Sequence, residues 1–135
     1  MTGIGREVAA AGTADQARVT VVAGPLAGPV LARVVGIGAS RADLPVDRLD
    51  DALLLADVIA ASAPALMRDG RVAMSSRSLG GRLELSVGPL RPGGARKLLD
   101  GASGHASESL IERLASETRI VGLGDGELLV IDIAA

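Results

Sequence analysis

LPVDRLDDALLLADVIAASA, Leu44–Ala63, is the stretch on which the fold turns. Pro45 sits near its first turn, where a missing N–H costs nothing, and Asp47, Asp50 and Asp51 lie where the positive end of a helix favours carboxylates. Leu49, Leu53, Ala56, Ala60 and Ala63 recur at helical spacing along one stripe. Leu54, Leu55, Val58 and Ile59 widen it until the segment is apolar almost all round, so the spacing predicts a helix buried on two sides. Pro64 stops or kinks it.

Upstream, RVTVVA (Arg18–Ala23) is short, β-branched and bounded by Gly24-Pro25, the pattern of a strand. Leu26, Val30, Val34 and Ile37 then recur with helical period, giving a first helix that Gly36, Gly38 and Ser40 weaken towards its end. Met1 to Ala17 has no clear period and reads as an N-terminal arm, with the domain proper at 18–135. Downstream, Arg71–Arg77 and Arg82–Val87 alternate with period two around Gly80-Gly81, a hairpin in which Leu83, Leu85 and Val87 face one way. Gly88–Gly104, broken by Pro89 and Pro92, reads as a mobile lid with a helical patch at Ala95–Leu99. Ser109 and Glu112 have capping-box spacing, which predicts a helix over Ser107–Ser116. Thr118–Leu123 and Glu127–Ile133 form a last hairpin through Gly124-Asp125-Gly126. The order β-α-α-β-β-loop-α-β-β predicts an α/β (α+β) two-layer sandwich, a mixed or antiparallel sheet with helices on one face.

Composition narrows the function. The 135 residues suit one domain, 48% hydrophobic and 22% charged, and with no Phe, Trp or Tyr the core must be aliphatic. Zero cysteines exclude disulfides, thiolate metal sites and a cysteine nucleophile, which fits a reducing, cytoplasmic setting. Neither a leader nor an apolar run of membrane-spanning length is visible. A net charge of −2 with interspersed signs, and no aromatic platforms, argues against nucleic acid as a partner.

Taken together, a Pro-led helix, the phrase LPVDRLDDALLLAD, a hairpin ending LELSVGPLRPGG and the run SLIERLAS before a final hairpin resemble the histidine-kinase-like ATPase (GHKL or Bergerat) fold over Arg18–Ile133. The likeness is to its single-domain bacterial branch, the anti-sigma-factor serine kinases. That resemblance implies a Glu and, four residues on, an Asn on the second helix: one turn apart they share a face, so one serves as base while the other helps hold Mg²⁺. Here Asp57 is followed four residues later by Ala61, and the neighbouring register offers Val58 and Ser62. The family's Asp-x-Gly-x-Gly corresponds to Val87–Gly94, which keeps Gly88, Gly93 and Gly94 without the Asp. Its later Gly-x-Gly falls on His105-Ala106-Ser107, with Gly101 and Gly104 close by.

The resemblance therefore implies a degenerate anti-sigma regulator, a pseudo-kinase that takes no cofactor, with ATP-dependent serine kinase activity using ATP and Mg as the alternative. The implied partners are a sigma factor or a STAS-type anti-sigma-factor antagonist, with a homodimer. Asp57 is the candidate catalytic acid; a solvated helix aspartate is its plainer reading. Ser62, Gly88, Gly93, Gly94 and Gly104 are nucleotide contacts if any survive, though turn chemistry explains the glycines equally. His105, Arg91, Arg96 and Lys97 read as solvated, and no metal site is apparent. Leu26, Val30, Leu31, Val34, Val35 and Ile37 cover more of the first helix than one stripe needs, so Leu31 and Val35 are expected at a partner surface.

Overall fold

The computed structural model describes residues 15–101 and 109–135. The second helix of the sequence reading, α2, runs Val46–Ser62 with Pro45 as N-cap in an extended conformation and Asp47 in the first turn. It buries Ala52, Leu55, Ala56 and Ile59, while Leu54 is 50% exposed. The buried stripe thus lies about one residue round the helix from the expected one. Leu49, Leu53 and Ala60 fall at its half-buried margin.

Among the described residues ten elements follow one another. Strand β1 (Asp15–Val22) leads to α1 (Ala27–Arg41), α2 and a 3-10 turn at Pro64–Leu66. The hairpin β2 (Arg71–Leu79) and β3 (Arg82–Leu90) precedes the short helices α3 (Gly94–Gly101) and α4 (Leu110–Leu114), and the hairpin β4 (Glu117–Leu123) and β5 (Gly126–Ala134) closes the fold. The sheet order is β1-β2-β3-β5-β4, every neighbouring pair antiparallel. This is a small α+β domain with its helices on one face of an antiparallel sheet. Among the described residues no helix is long and apolar enough to cross a membrane.

Alternation assigns the faces. Val72 and Met74 on β2, Leu83, Leu85 and Val87 on β3, and Leu129, Ile131 and Ile133 on β5 are buried under the helices. They form one core with Leu31, Val35, Leu55, Ile59, Leu90, Leu98, Leu99 and Ile111. The approach of α1 to the hairpin is close: a Cβ at Gly38 would lie 2.9 Å from Leu83 Cδ1, and the Ser78 hydroxyl donates to the Gly38 carbonyl at 2.8 Å.

Several expectations need correction. Leu31 and Val35 are fully buried, so α1 directs them at the sheet and α2, not at a partner. The exposed side of α1 carries Pro29, Arg33 and Ile37 instead. Strand β1 begins at Asp15, inside the expected arm, whose residues 1–14 lie outside the described residues. The expected lid is ordered over Gly88–Gly101. β3 continues to Leu90, and α3 buries Ala95, Leu98 and Leu99, because its apolar residues meet the 3-10 turn, α2, α4 and β5. Ser109 caps α4 by accepting the Glu112 N–H at 3.3 Å, as the spacing predicts, though the helix is shorter than expected.

Candidate functional site

The residues that the resemblance assigns to a nucleotide are held by α2, β3 and the start of α3. Asp57 is exposed on the α1 side of α2, its carboxylate 3.9 Å from where a Cβ on Gly28 would stand. Ser62 is the half-buried last residue of α2. Gly88 occupies an irregularity in β3, where the pairing with β5 shifts between Val87 and Leu90. Its φ is +144°, and a Cβ there would meet the Glu127 carbonyl oxygen at 2.7 Å, so only glycine fits. This glycine serves strand packing. Gly93 (φ +79°) makes the turn into α3, and Gly94 opens that helix against Leu90 and Leu66. Gly104 and His105 lie outside the described residues.

These groups do not line one cavity. The space between the end of α2, the 3-10 turn, β3 and the two short helices is closed by Ala63, Met67, Leu90, Ala95, Leu98, Leu99 and Ile111, each at most 2% exposed. At the N-terminus of α3 a carboxylate of the chain itself is in place: Glu127 Oε1 on β5 accepts the Ala95 N–H at 2.8 Å. It satisfies one of the amides that a helix start leaves free, and its charge suits the positive end of the dipole. Arg91, Arg96 and Lys97 stand in solvent around that helix.

Two polar arrangements have no counterpart in the sequence motifs. Arg48 of α2 donates to the Ala134 carbonyl at 2.9 Å, the Leu114 carbonyl at 3.2 Å and the Ser116 hydroxyl at 2.9 Å, and pairs with Asp51 at 2.6 Å. One guanidinium thereby ties α2 to the ends of α4 and β5. On the open face of the sheet, Glu84 of β3 is approached by Arg77 at 3.8 Å and by Arg119 at 3.3 Å. The signal for this face is present in the sequence as Asp132, a lone acid inside the apolar strand LLVIDI.

Among the described residues three concave sites stand out, and none of these is lined by Asp57, Ser62, Gly88, Gly93 or Gly94. A cleft of about 80 Å³ lies between β1 and α1, and a polar one of about 300 Å³ lies on the open face beside Arg18, Ser75 and Glu84. The third, about 350 Å³ and mostly apolar, is formed by Val21–Ala27 with Val30. At its rim Val22 is 69% and Leu26 74% exposed. At the far hairpin turn Arg68 hydrogen bonds Asp125 at 2.6 Å, and that bond with the guanidinium charge holds the Asp125 carboxyl below its ordinary range. Among the described residues no three His, Cys, Asp or Glu side chains are grouped so as to hold a metal ion. A scan of the chain against models of known protein families finds no match, and a search among curated proteins finds none either.

Proposed function

We propose that the chain is a regulatory module that works by binding another protein, of the anti-sigma type its element order resembles, and that it has given up the nucleotide site of that class. One observation carries this reading: Leu98, Leu99, Leu90 and Ile111 fill the space beside α2 as core, where a nucleotide would need a cavity. Glu127 adds to it, since a phosphate arriving at α3 would have to displace a carboxylate already bonded to Ala95. Phosphoryl transfer depends on positioning, Mg²⁺ and charge neutralisation, and Asp57 alone on an exposed helix side supplies none of these.

The partner that the resemblance implies is a sigma factor or a STAS-type antagonist. Support for a surface near α1 comes from the apolar hollow at Val21–Val30, whose exposed rim of Val22 and Leu26 is out of place on a face that meets only water. Co-purification of the tagged chain with candidate sigma factors and STAS proteins, with and without Leu26→Asp, tests the reading. The expected result is a complex of defined stoichiometry that forms without ATP and weakens in the variant. Transfer of labelled phosphate from ATP to any of these proteins by the purified chain would overturn it.

A further inference from the structure

On the open face of the sheet, register places Glu84, Asp132 and Glu117 side by side across β3, β5 and β4. Directly opposed residues of antiparallel strands share a face with Cβ atoms roughly 5 Å apart, so three carboxylates stand in one row. Asp132 is only 9% exposed, and its Oδ1 is shut off from solvent with no hydrogen-bond partner. Neighbouring Val130 on the same face is 4% exposed, although the helices lie on the other side. The Arg119–Glu84 ion pair joins β4 to β3 and so spans β5, across the row that holds Val130 and Asp132.

A buried carboxylate oxygen without a donor is rare in folded proteins, because the group forfeits its hydration and receives nothing in return. Of the nearby cations, Arg77 and Arg119 both go to Glu84 and Arg48 works on the helix side, while Arg82, two residues from Glu84 on the same face of β3, makes no ion pair with Asp132 or Glu117. Glu117, exposed beside Asp132, makes no ion pair among the described residues. Among the described residues, two adjacent carboxylates therefore make no ion pair. No metal-binding group is formed there, and the row is spread along a sheet instead of gathered around a point. A planar guanidinium fits that spread, since its fork donates to two acceptors at once, whereas an ammonium is a compact, strongly hydrated point charge.

We propose that Asp132 and Glu117 form a receptor for an arginine side chain carried by a partner polypeptide, which enters on the open face as the Arg119–Glu84 pair lifts. This builds on the reading of the chain as a protein-binding module, and it names the chemistry by which one contact is made.

The test uses the full chain, isotope-labelled, titrated with acetyl-Gly-Arg-Gly-amide and, in parallel, with the same peptide bearing neutral citrulline in place of arginine. The arginine peptide should move the amide signals of residues 84, 117, 119, 130 and 132 in a saturable way with millimolar affinity, and citrulline should bind at least about tenfold more weakly, the loss expected for one charge-assisted hydrogen bond. Asp132→Asn should lose the arginine peptide to the same extent while melting no lower than the wild type, because an unpartnered buried charge has been removed. Equal shifts from both peptides, or undiminished binding by Asp132→Asn, would overturn the proposal. So would a mass that doubles with concentration in the wild type and not in Asp132→Asn, which would give the site to a second copy. The two readings fail separately: ATP binding would sink the pseudo-kinase reading and leave these shifts in place, and a silent titration would remove this receptor without restoring a nucleotide site.

Discussion

The two faces of the sheet are built to opposite rules. Under the helices, β2, β3 and β5 present only apolar side chains, apart from Ser76 and Ser78 near α1, and the packing is continuous from Leu31 to Ile111. On the other face the same strands present Arg77, Glu84, Ser75, Ser86 and Asp132, with Arg18 and Arg119 from the flanking strands. The helix side, where the proposed reading leaves no room for a nucleotide, is core; the polar row of Glu84, Asp132 and Glu117 sits on the face the helices leave open. In this chain specific recognition has more material on the open face and at the hollow near Leu26 than around α2 and α3.

The largest effect is expected from charging the helix side. Leu31→Glu or Val35→Glu should abolish folding, since an unpaired buried charge costs several kcal/mol against a total of about 5–15 kcal/mol. Arg18→Glu, on the open face, should shift stability by no more than about 0.5 kcal/mol. Circular-dichroism melts of the three variants measure the contrast directly, and similar melts for Leu31→Glu and Arg18→Glu would erase it. Next in size is Leu99→Ala, expected to cost about 2–5 kcal/mol because it leaves a void beside Leu98 and Ile111. Urea titration reads this as a lower midpoint with an unchanged slope. A loss below 1 kcal/mol would mean that α3 is a loosely held lid after all.

Arg48→Met sharpens the comparison at the seam between α2 and the end of β5. Losing the hydrogen bonds to Ala134, Leu114 and Ser116 should cost about 2 kcal/mol in the same titration, with the backbone amides of β4 and β5 exchanging faster than those of β2. The smallest effect lies at the exposed β4–β5 turn. The Asp125 carboxyl titrates below its ordinary value because of Arg68, and Arg68→Gln should return it to that value in an NMR pH titration. The sign follows from linkage: a lowered folded pKa adds stability above the unfolded value of 3.8 that is lost as pH falls through the folded one. In solvent this contribution is screened, and the melt of Arg68→Gln at neutral pH should match the wild type closely.

Much of the architecture was legible. The period of Leu44–Ala63, the alternation of Leu83, Leu85 and Val87, and the Gly-Gly and Gly-Asp-Gly turns place α2, both hairpins and the helix-covered face. Failures fell where local pattern and tertiary packing disagree. Gly88–Gly101 carries Pro and Gly enough to read as a lid, yet three apolar residues at helical spacing suffice to bury α3 once α2 and β5 supply a surface. Leu31 and Val35 turn inward where the sequence suggests a partner surface, because an excess of apolar residues on a helix does not reveal which of them face the sheet. Glu127 and Arg48 carry no signal in the sequence: a charged residue in a strand or helix reads as solvated until its partner in space is known.

The central claim, that the helix side holds core where a nucleotide would bind, is tested most directly by calorimetric titration of the chain with ATP and Mg²⁺, alongside Glu127→Ala and Asp57→Ala. The account predicts no saturable heat for the wild type up to millimolar nucleotide, and none for either variant, because Leu98 and Leu99 still fill the space. Micromolar, magnesium-dependent binding by the wild type that Asp57→Ala abolishes would contradict it.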